Sequence, residues 1–498
     1  MNTLIPSEII KVTLFTVMQA FFSMLVAVAA GVPSAFFIAK RKFFLRDFFI
    51  SLSSVPLCVP SLIIALGYVS FFGMSGTLNR FFMYVSGAKN PPVTFLYSLA
   101  GIIIAQGFYN FPLVMSAVSD AWANLPKTES DAAKLLGAGN FRVFRTITFF
   151  QLLPPIISAC ILVFLYCFFS FMIVLLFGSV GVTTLEVEVY HLSRSSLDLR
   201  KALIMIVIET LTALLIVFFY CALEQKAQRI RGISFNPRQN ERVSLRGKGE
   251  TFCALAVFGV ITIFFVAPLL SIVVKSVTKK SGAFCALSNF TFLLSRQTFH
   301  RALLWTMITA LSTGTLSAAV AFLYSSFLRL RDPDANKIAL RFVPMIPMAI
   351  SSVAIGVIIT MLVRKGNAAY LVAAQTFLTW PLAFRQIYPK LQKIPQSVID
   401  SSRLLSGKTA DTVLKIFLPV ALTETLRGAL FCFAVSAGDS TLPLVMAIPK
   451  FDTLALFTYR LAGAYKFNEA CASGVILGAI CVLSFALSRM KRSSNQTH

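Results

Sequence analysis

Ala105-Gln106-Gly107-Phe108-Tyr109-Asn110-Phe111-Pro112-Leu113 returns 269 residues later as Ala374-Gln375-Thr376-Phe377-Leu378-Thr379-Trp380-Pro381-Leu382. The same displacement carries Leu125-Pro126 onto Ile394-Pro395, Asp131 onto Asp400, Leu135-Leu136 onto Leu404-Leu405 and Ile147 onto Ile416. A register held this long marks an internal duplication. Each copy runs from an apolar stretch through a short basic amphipathic segment into a second apolar stretch. Further upstream, Phe15-Thr16-Val17-Met18-Gln19-Ala20 resembles Trp305-Thr306-Met307-Ile308-Thr309-Ala310 at a displacement of 290, and the stretch from Pro60 to Gly67 resembles that from Ala349 to Gly356 at 289. The shift to 269 requires about twenty extra residues in the first copy, which the reading assigns to a loop at 74–92, since loops absorb insertions.

The chain has 498 residues, 57% hydrophobic and 13% charged, with a mean hydropathy of +0.79. A soluble domain carries about a quarter charged residues. Apolar runs long enough to cross a hydrocarbon core recur throughout, so the chain reads as an all-α polytopic membrane protein. In lipid each segment must satisfy its own backbone, and continuous runs mean helices rather than barrel strands. Candidate helices are 12–39, 48–72, 94–120, 148–177 and 202–223 in the first half, and 252–275, 302–328, 338–363, 367–388, 416–446 and 468–488 in the second, about eleven in all.

The net charge of +25 raises nucleic-acid binding, but the basic residues lie between the apolar runs and form no domain of their own. No nucleic-acid partner is expected. Nine cysteines lie scattered without a CxxC pair, and His191, His300 and His498 share no ligand spacing, so neither a metal nor a redox centre is expected.

The first run is too long for a signal-peptide core, and Lys40, Arg41, Lys42 and Arg46 follow it. That orients the N-terminus outward and the C-terminal tail inward. Segments 40–47, 123–146, 224–250, 329–341 and 389–415 then face the cytoplasm, and all are basic. The stretch 224–250, with Gly232, Pro237 and Gly247, reads as a flexible basic linker. It separates a first half, 1–223, from a second, 251–498, led by the helix 252–275. Each repeat holds five helices. An odd unit repeated directly inverts in the membrane, but the unmatched helix 252–275 restores orientation. The repeats are therefore expected to be parallel, with both polar segments on one side.

Those segments read Asp131-Ala132-Ala133-Lys134-Leu135-Leu136-Gly137, then Ile147, and Asp400-Ser401-Ser402-Arg403-Leu404-Leu405-Ser406, then Ile416-Phe417-Leu418-Pro419. Both resemble the EAA loop, E-A-A-x-x-x-G-x9-I-x-L-P, of ABC importer permeases. Asp replaces Glu in both copies. Phe149-Phe150 stands for Leu-Pro in the first, and Ser401-Ser402 for Ala-Ala in the second, where Ser406 stands for Gly with Gly407 next. Ser402 to Thr409 nearly fits a phosphate loop but lacks the leading Gly, the preceding strand and a partner acid.

The resemblance implies a type I ABC importer fold in a bacterial cytoplasmic (inner) membrane, not an enzyme. It implies two copies of a separate ABC ATPase subunit docking on Asp131, Ala132, Ala133 and Gly137, and on Asp400, Ser401, Ser402, Ser406 and Gly407. The ATPase would use the ATP and Mg, this chain binding no cofactor, and an extracytoplasmic binding protein would deliver the solute. Val55-Pro56-Leu57-Cys58-Val59-Pro60-Ser61, Thr183-Thr184-Leu185-Glu186-Val187-Glu188-Val189-Tyr190 and Ser436-Ala437-Gly438-Asp439-Ser440 look most like the fused thiamine and ferric-iron group. The latter two stretches look closer to the thiamine branch. Its members have six helices in each half, and this chain lacks the first. Thiamine or a phosphorylated form is the favoured solute, with ferric iron or a polyamine as alternatives. An ATPase-independent secondary transporter is the rival class.

Asp439 and Glu209 lie in expected membrane segments, where acids are costly and often functional. For a cationic aromatic solute, Asp439 could neutralise charge while Trp380 or Tyr109 stacks on the ring. The competing reading has the acids pairing with neighbours and the aromatics packing. Glu424 and Arg427 read as a local i,i+3 pair.

Overall fold

Apolar runs whose backbone bonds close within the segment fold as helices, and the computed structural model is helical almost throughout. It describes residues 7–125, 128–178, 183–231, 243–245, 247–278, 287–332, 340, 342–363, 366–406 and 408–489. Beside the short helices Arg46–Ser51 and Val55–Cys58, the first part of the chain forms α1 (Ser7–Lys40), α2 (Ser61–Phe72), α3 (Thr77–Ser86), α4 (Leu99–Ala123), α5 (Thr128–Leu135), α6 (Asn140–Phe168), α7 (Met172–Phe177), α8 (Leu185–Arg194), α9 (Leu199–Arg231) and α10 (Lys248–Ser276). There follow α11 (Gln297–Arg331), α12 (Ser352–Leu362), α13 (Ala368–Gln392), α14 (Gln396–Ser406), α15 (Thr409–Gly438), α16 (Thr441–Met446), α17 (Leu454–Gly463) and α18 (Phe467–Arg489).

Among the described residues, nine helical stretches are long and apolar enough to cross a membrane, counting α2 and α3 together as Ser61–Ser86. The pair Val343–Ala349 and α12, bent by 88°, passes the same test taken together and adds a tenth if it is one broken span rather than a re-entrant loop. The eleventh expected span, α13, has the length but not the composition, because Gln375, Thr376, Thr379, Arg385 and Gln386 lie along it. The all-α membrane architecture stands, with this helix needing neighbours rather than lipid around it.

By its internal contacts the chain divides into one unit of Met1–Leu57 with Ile63–Ile272, and another of Cys58–Leu62 with Val273–His498. The helix expected to lead the second half, α10, belongs to the first unit as far as Ile272. Aromatic pairs hold it there: Phe258 lies 4.3 Å from Phe49, Phe264 stacks on Phe108 at 4.9 Å, and Phe265 meets Phe111 at 5.3 Å. Tyr68 donates to the Phe264 carbonyl, and Glu250 pairs with Arg41. The expected linker is also shorter than 224–250. Helix α9 continues to Arg231, residues 232–242 and 246 lie outside the described residues, and Val243-Ser244 pairs in parallel with Arg41-Lys42. The extra residues of the first copy are not an irregular loop. They form α3, with Asn79 buried and Phe81, Phe82, Tyr84 and Val85 exposed.

Apart from α3 and α10, most helices of one unit recur in the other in the same register. At the displacement of 269, α4 matches α13, α7 matches α16 and α8 matches α17 end to end. So do the π-helical turns Phe144–Thr148 and Val413–Phe417. Even single hydrogen bonds repeat. Ser23 Oγ donates to Gln106 Oε1 at 3.2 Å, and Thr313 Oγ1 donates to Gln375 Oε1 at 3.2 Å. Thr16 Oγ1 accepts from the Leu185 N–H at 2.9 Å, and Thr306 Oγ1 from the Leu454 N–H at 2.7 Å. A buried backbone N–H without a partner costs about 1–3 kcal/mol, which explains why a threonine is kept at both positions.

The repeat is not perfect. Gln375 Nε2 donates to Asp439 Oδ2 at 3.1 Å, whereas Gln106 Nε2 is buried without a partner among the described residues. Gln375→Leu should therefore lower the unfolding midpoint in detergent more than Gln106→Leu, by a difference of about 1–2 kcal/mol. Equal losses would contradict this account of the web.

Candidate functional site

The two polar segments are built alike where they face outward and differently where they face inward. In the first, Glu129 and Asp131 sit near the start of α5, where a negative charge complements the helix N-terminus. Gly137 ends the segment at φ +86°, with its N–H bonded to the Lys134 carbonyl at 2.9 Å and that of Ala138 to Ala133 at 3.0 Å. This double bond needs a left-handed residue, which glycine adopts without steric cost. Asp131 and Ala132 are exposed and Ala133 is half-buried. Glu129 Oε2 accepts from Gln151 Nε2 at 2.6 Å, tying α5 to α6.

The second segment, α14, begins at Gln396, so Asp400 falls in the second turn and not at the helix start. Its Oδ1 accepts from Gln396 Nε2 at 3.0 Å within the helix. Ser401 donates to the Ser397 carbonyl at 2.8 Å, and Ser402 shares a 2.9 Å bond with Thr412. Ser406 closes the helix, and Gly407 lies outside the described residues. Ile399, 1% exposed, pins α14 into an apolar cluster with Leu391, Ile394 and Phe417. The buried Arg329 of α11 donates from Nη2 to the Ile394 carbonyl at 2.7 Å. These contacts anchor α14 to α11, α13 and α15.

Both helices project a bare leucine pair. Leu135 and Leu136 are each 89% exposed, and Leu404 and Leu405 are 88% and 89% exposed. Paired apolar side chains this bare, at matched positions of the two segments, form exposed apolar patches of the kind that interaction surfaces carry. The sequence reading used these leucines as register marks and missed them as site residues. The signal was present, because an apolar pair recurs at the same position of two otherwise polar segments.

The four candidates for a solute path are mostly occupied by structure. Asp439 Oδ1 accepts from the backbone N–H groups of Thr441 and Leu442 at 2.9 and 3.3 Å, capping α16, while Oδ2 takes the bond from Gln375. Trp380 is 8% exposed and packs edge-on against Tyr324 and Phe384. Tyr109 is half-buried and donates to the Pro56 carbonyl at 3.2 Å. Glu209 on α9 is 1% exposed, with neither carboxylate oxygen partnered among the described residues, and its electrostatic neighbour is the buried Glu186 of α8. Glu424 and Arg427 form the expected i,i+3 pair at 2.8 Å.

An acid buried beside another acid costs free energy. Glu209→Gln removes the repulsion and supplies a donor toward Glu186, so it should raise the unfolding midpoint in detergent and leave solute uptake unchanged. A fall in either would give the Glu209 charge a function.

Residues 27–232 match the family described as binding-protein-dependent transport system inner membrane component. The second unit repeats the same elements. Over nearly its whole length the chain is similar to thiamine transport system permease proteins. It is 24% identical to that of Brucella abortus (strain 2308) over 484 residues, 95% of this chain and 86% of the relative. To that of Escherichia coli (strain K12) it is 23% identical over 487 residues, 95% and 87% of the two chains. A shorter stretch of 134 residues is 35% identical to the putative 2-aminoethylphosphonate transport system permease protein of Salmonella typhi, covering 27% of this chain and 46% of the relative.

Proposed function

We propose that this chain is the membrane-spanning permease subunit of an ATP-driven importer, with both permease halves fused. The observation that carries this reading is the pair of matched leucine tips. Two equivalent surfaces on one duplicated chain suit two copies of one partner, an ABC ATPase subunit, with α5 and α14 on the cytoplasmic side. The N-terminus then lies outside and the C-terminus inside the inner membrane. An extracytoplasmic binding protein hands over the solute, and ATP-driven closure of the ATPase pair moves α5 and α14, switching the bundles between two states. Thiamine or a phosphorylated form is the solute class that similarity along the chain favours. The shorter match to a phosphonate permease makes an aminophosphonate the second reading, and ferric iron and polyamines rest on the sequence resemblance alone.

The experiment is reconstitution of the chain into proteoliposomes with and without a candidate ABC ATPase and binding protein from the same organism. Thiamine accumulation requiring both partners and ATP is expected. Accumulation driven by an ion gradient without the ATPase would instead make it a secondary transporter.

A further inference from the structure

The first unit is hollow at a place where the second is solid. A cleft of about 200 Å³ opens between α1, α4, α5 and α6. At the corresponding positions of the second unit, Leu330, Leu391, Ile394, Ile399 and Phe417 close into an apolar cluster. The substitutions that empty the first copy are specific. Ser130 stands for Ile399, Thr148 for Phe417 and Lys40 for Leu330. Each exchanges a large apolar side chain for a hydrogen-bonding or cationic one, so the space is both opened and made polar. Overpacking or simple loss of volume would not select that chemistry.

The walls have two characters. Trp122 stacks on Phe144, with centroids 6.1 Å apart, and lies 5.3 Å from Phe36, giving flat aromatic surface. Lys40, Lys134, Ser130, Thr148 and Asn140 also line the cleft, residues whose side chains carry ammonium, hydroxyl and amide groups. No acid lines the cleft among the described residues. The nearest carboxylate in the bonding network is Glu129, held by Gln151.

We propose that this cleft is a binding site for a small soluble aromatic phosphate monoester. Ammonium groups and hydroxyl donors suit a dianionic phosphate, whose charge-assisted bonds exceed neutral ones. The aromatic wall suits a flat ring, and the cleft has room for both. Binding itself stands independently of the ATPase-docking reading. Its consequence rests on that reading: a ligand wedged behind Ser130 and Lys134 would hold α5 against α1 and α4, giving the first docking helix a brake that the second lacks.

The test uses the purified full-length chain in neutral detergent, titrated with phenyl phosphate and with inorganic phosphate while Trp fluorescence is read. Phenyl phosphate should quench saturably, at least about tenfold more tightly than inorganic phosphate. Lys40→Gln with Lys134→Gln should weaken it by about tenfold or more. Ser130→Ile with Thr148→Phe, which installs the residues of the second copy, should abolish the quench at an unchanged or higher unfolding midpoint. Should that pair fail to fold, the lysine pair decides. Absence of a saturable quench in the millimolar range, equal affinity for the two probes, or a quench indifferent to the lysine substitutions overturns the proposal. So does a quench lost in phosphatidylglycerol nanodiscs but kept in phosphatidylcholine, which would assign the cleft to a lipid headgroup. Failure of ATP-dependent uptake leaves this binding result intact, so the two readings fail separately.

Discussion

Leu135→Asp, Leu136→Asp, Leu404→Asp and Leu405→Asp combined should reduce ATP-dependent uptake to background while the protein accumulates normally in the membrane. Burying one leucine side chain is worth about 1.5–3 kcal/mol, so a covered pair contributes about 3–6 kcal/mol at each docking helix. At about 1.4 kcal/mol per tenfold, losing it weakens each contact by more than about a hundredfold, and an introduced carboxylate adds a desolvation cost. The leucines touch little within the chain, being 88–89% exposed. The folded state therefore should not suffer, and an unfolding midpoint within about 2 °C of the parent is expected. Uptake above about a tenth of the parent rate would show that the tips are not the contact. Changing one pair at a time separates the copies. If both grip identical partners, either pair alone should cost most of the transport, because the two-state motion needs both.

The second large effect is structural. Helices α1 and α4 approach closely enough that a Cβ on Gly31 would lie 2.7 Å from the Cβ of Val114, and one on Gly107 would lie 2.6 Å from that of Val26. Small residues that let backbones approach are how membrane helices associate when the lipid removes the hydrophobic drive between them. Gly31→Val with Gly107→Val therefore should force the pair apart along its length. Overpacking costs about 1–3 kcal/mol per site and more where backbone must move, so the doubly substituted chain is expected to fall below about a tenth of the parent's folded yield in detergent. Size-exclusion chromatography of fluorescently tagged protein reads this directly. A monodisperse double variant at parental yield would mean that the helices are not held at this distance.

Much of this was legible in the residues. The displacement of 269 locates α4 and α13, α8 and α17 and both π-helical turns, because buried contacts constrain residue type. A hydroxyl is kept at Thr16 and Thr306 and at Ser23 and Thr313, and an amide at Gln106 and Gln375, since each closes a specific bond. The exposed site was half legible. The acids and the Gly137 cap follow from helix-end physics, but Asp400 turned out to lie a turn inside its helix because α14 starts earlier.

What stayed hidden depends on long-range packing. Nothing near α10 in sequence says that Phe258, Phe264 and Phe265 will find Phe49, Phe108 and Phe111. Asp439 reads as a costly intramembrane charge until the N–H groups of Thr441 and Leu442 are seen to receive it. The cleft beside α5 is visible only once both copies are folded and Ser130 is set against Ile399.

In the proposed transporter, α5 and α14 grip the same kind of ATP-hydrolysing subunit on the cytoplasmic side. Cysteines placed at Leu136 and Leu405 in a chain with its native cysteines replaced, then treated with a short bifunctional thiol reagent in inverted membrane vesicles containing the ATPase, test it directly. Crosslinks from each position to the ATPase subunit, changing in yield when ATP is added, are the expected result. Labelling of either cysteine only from the outer face, or crosslinks that never reach an ATPase from either position, would contradict it.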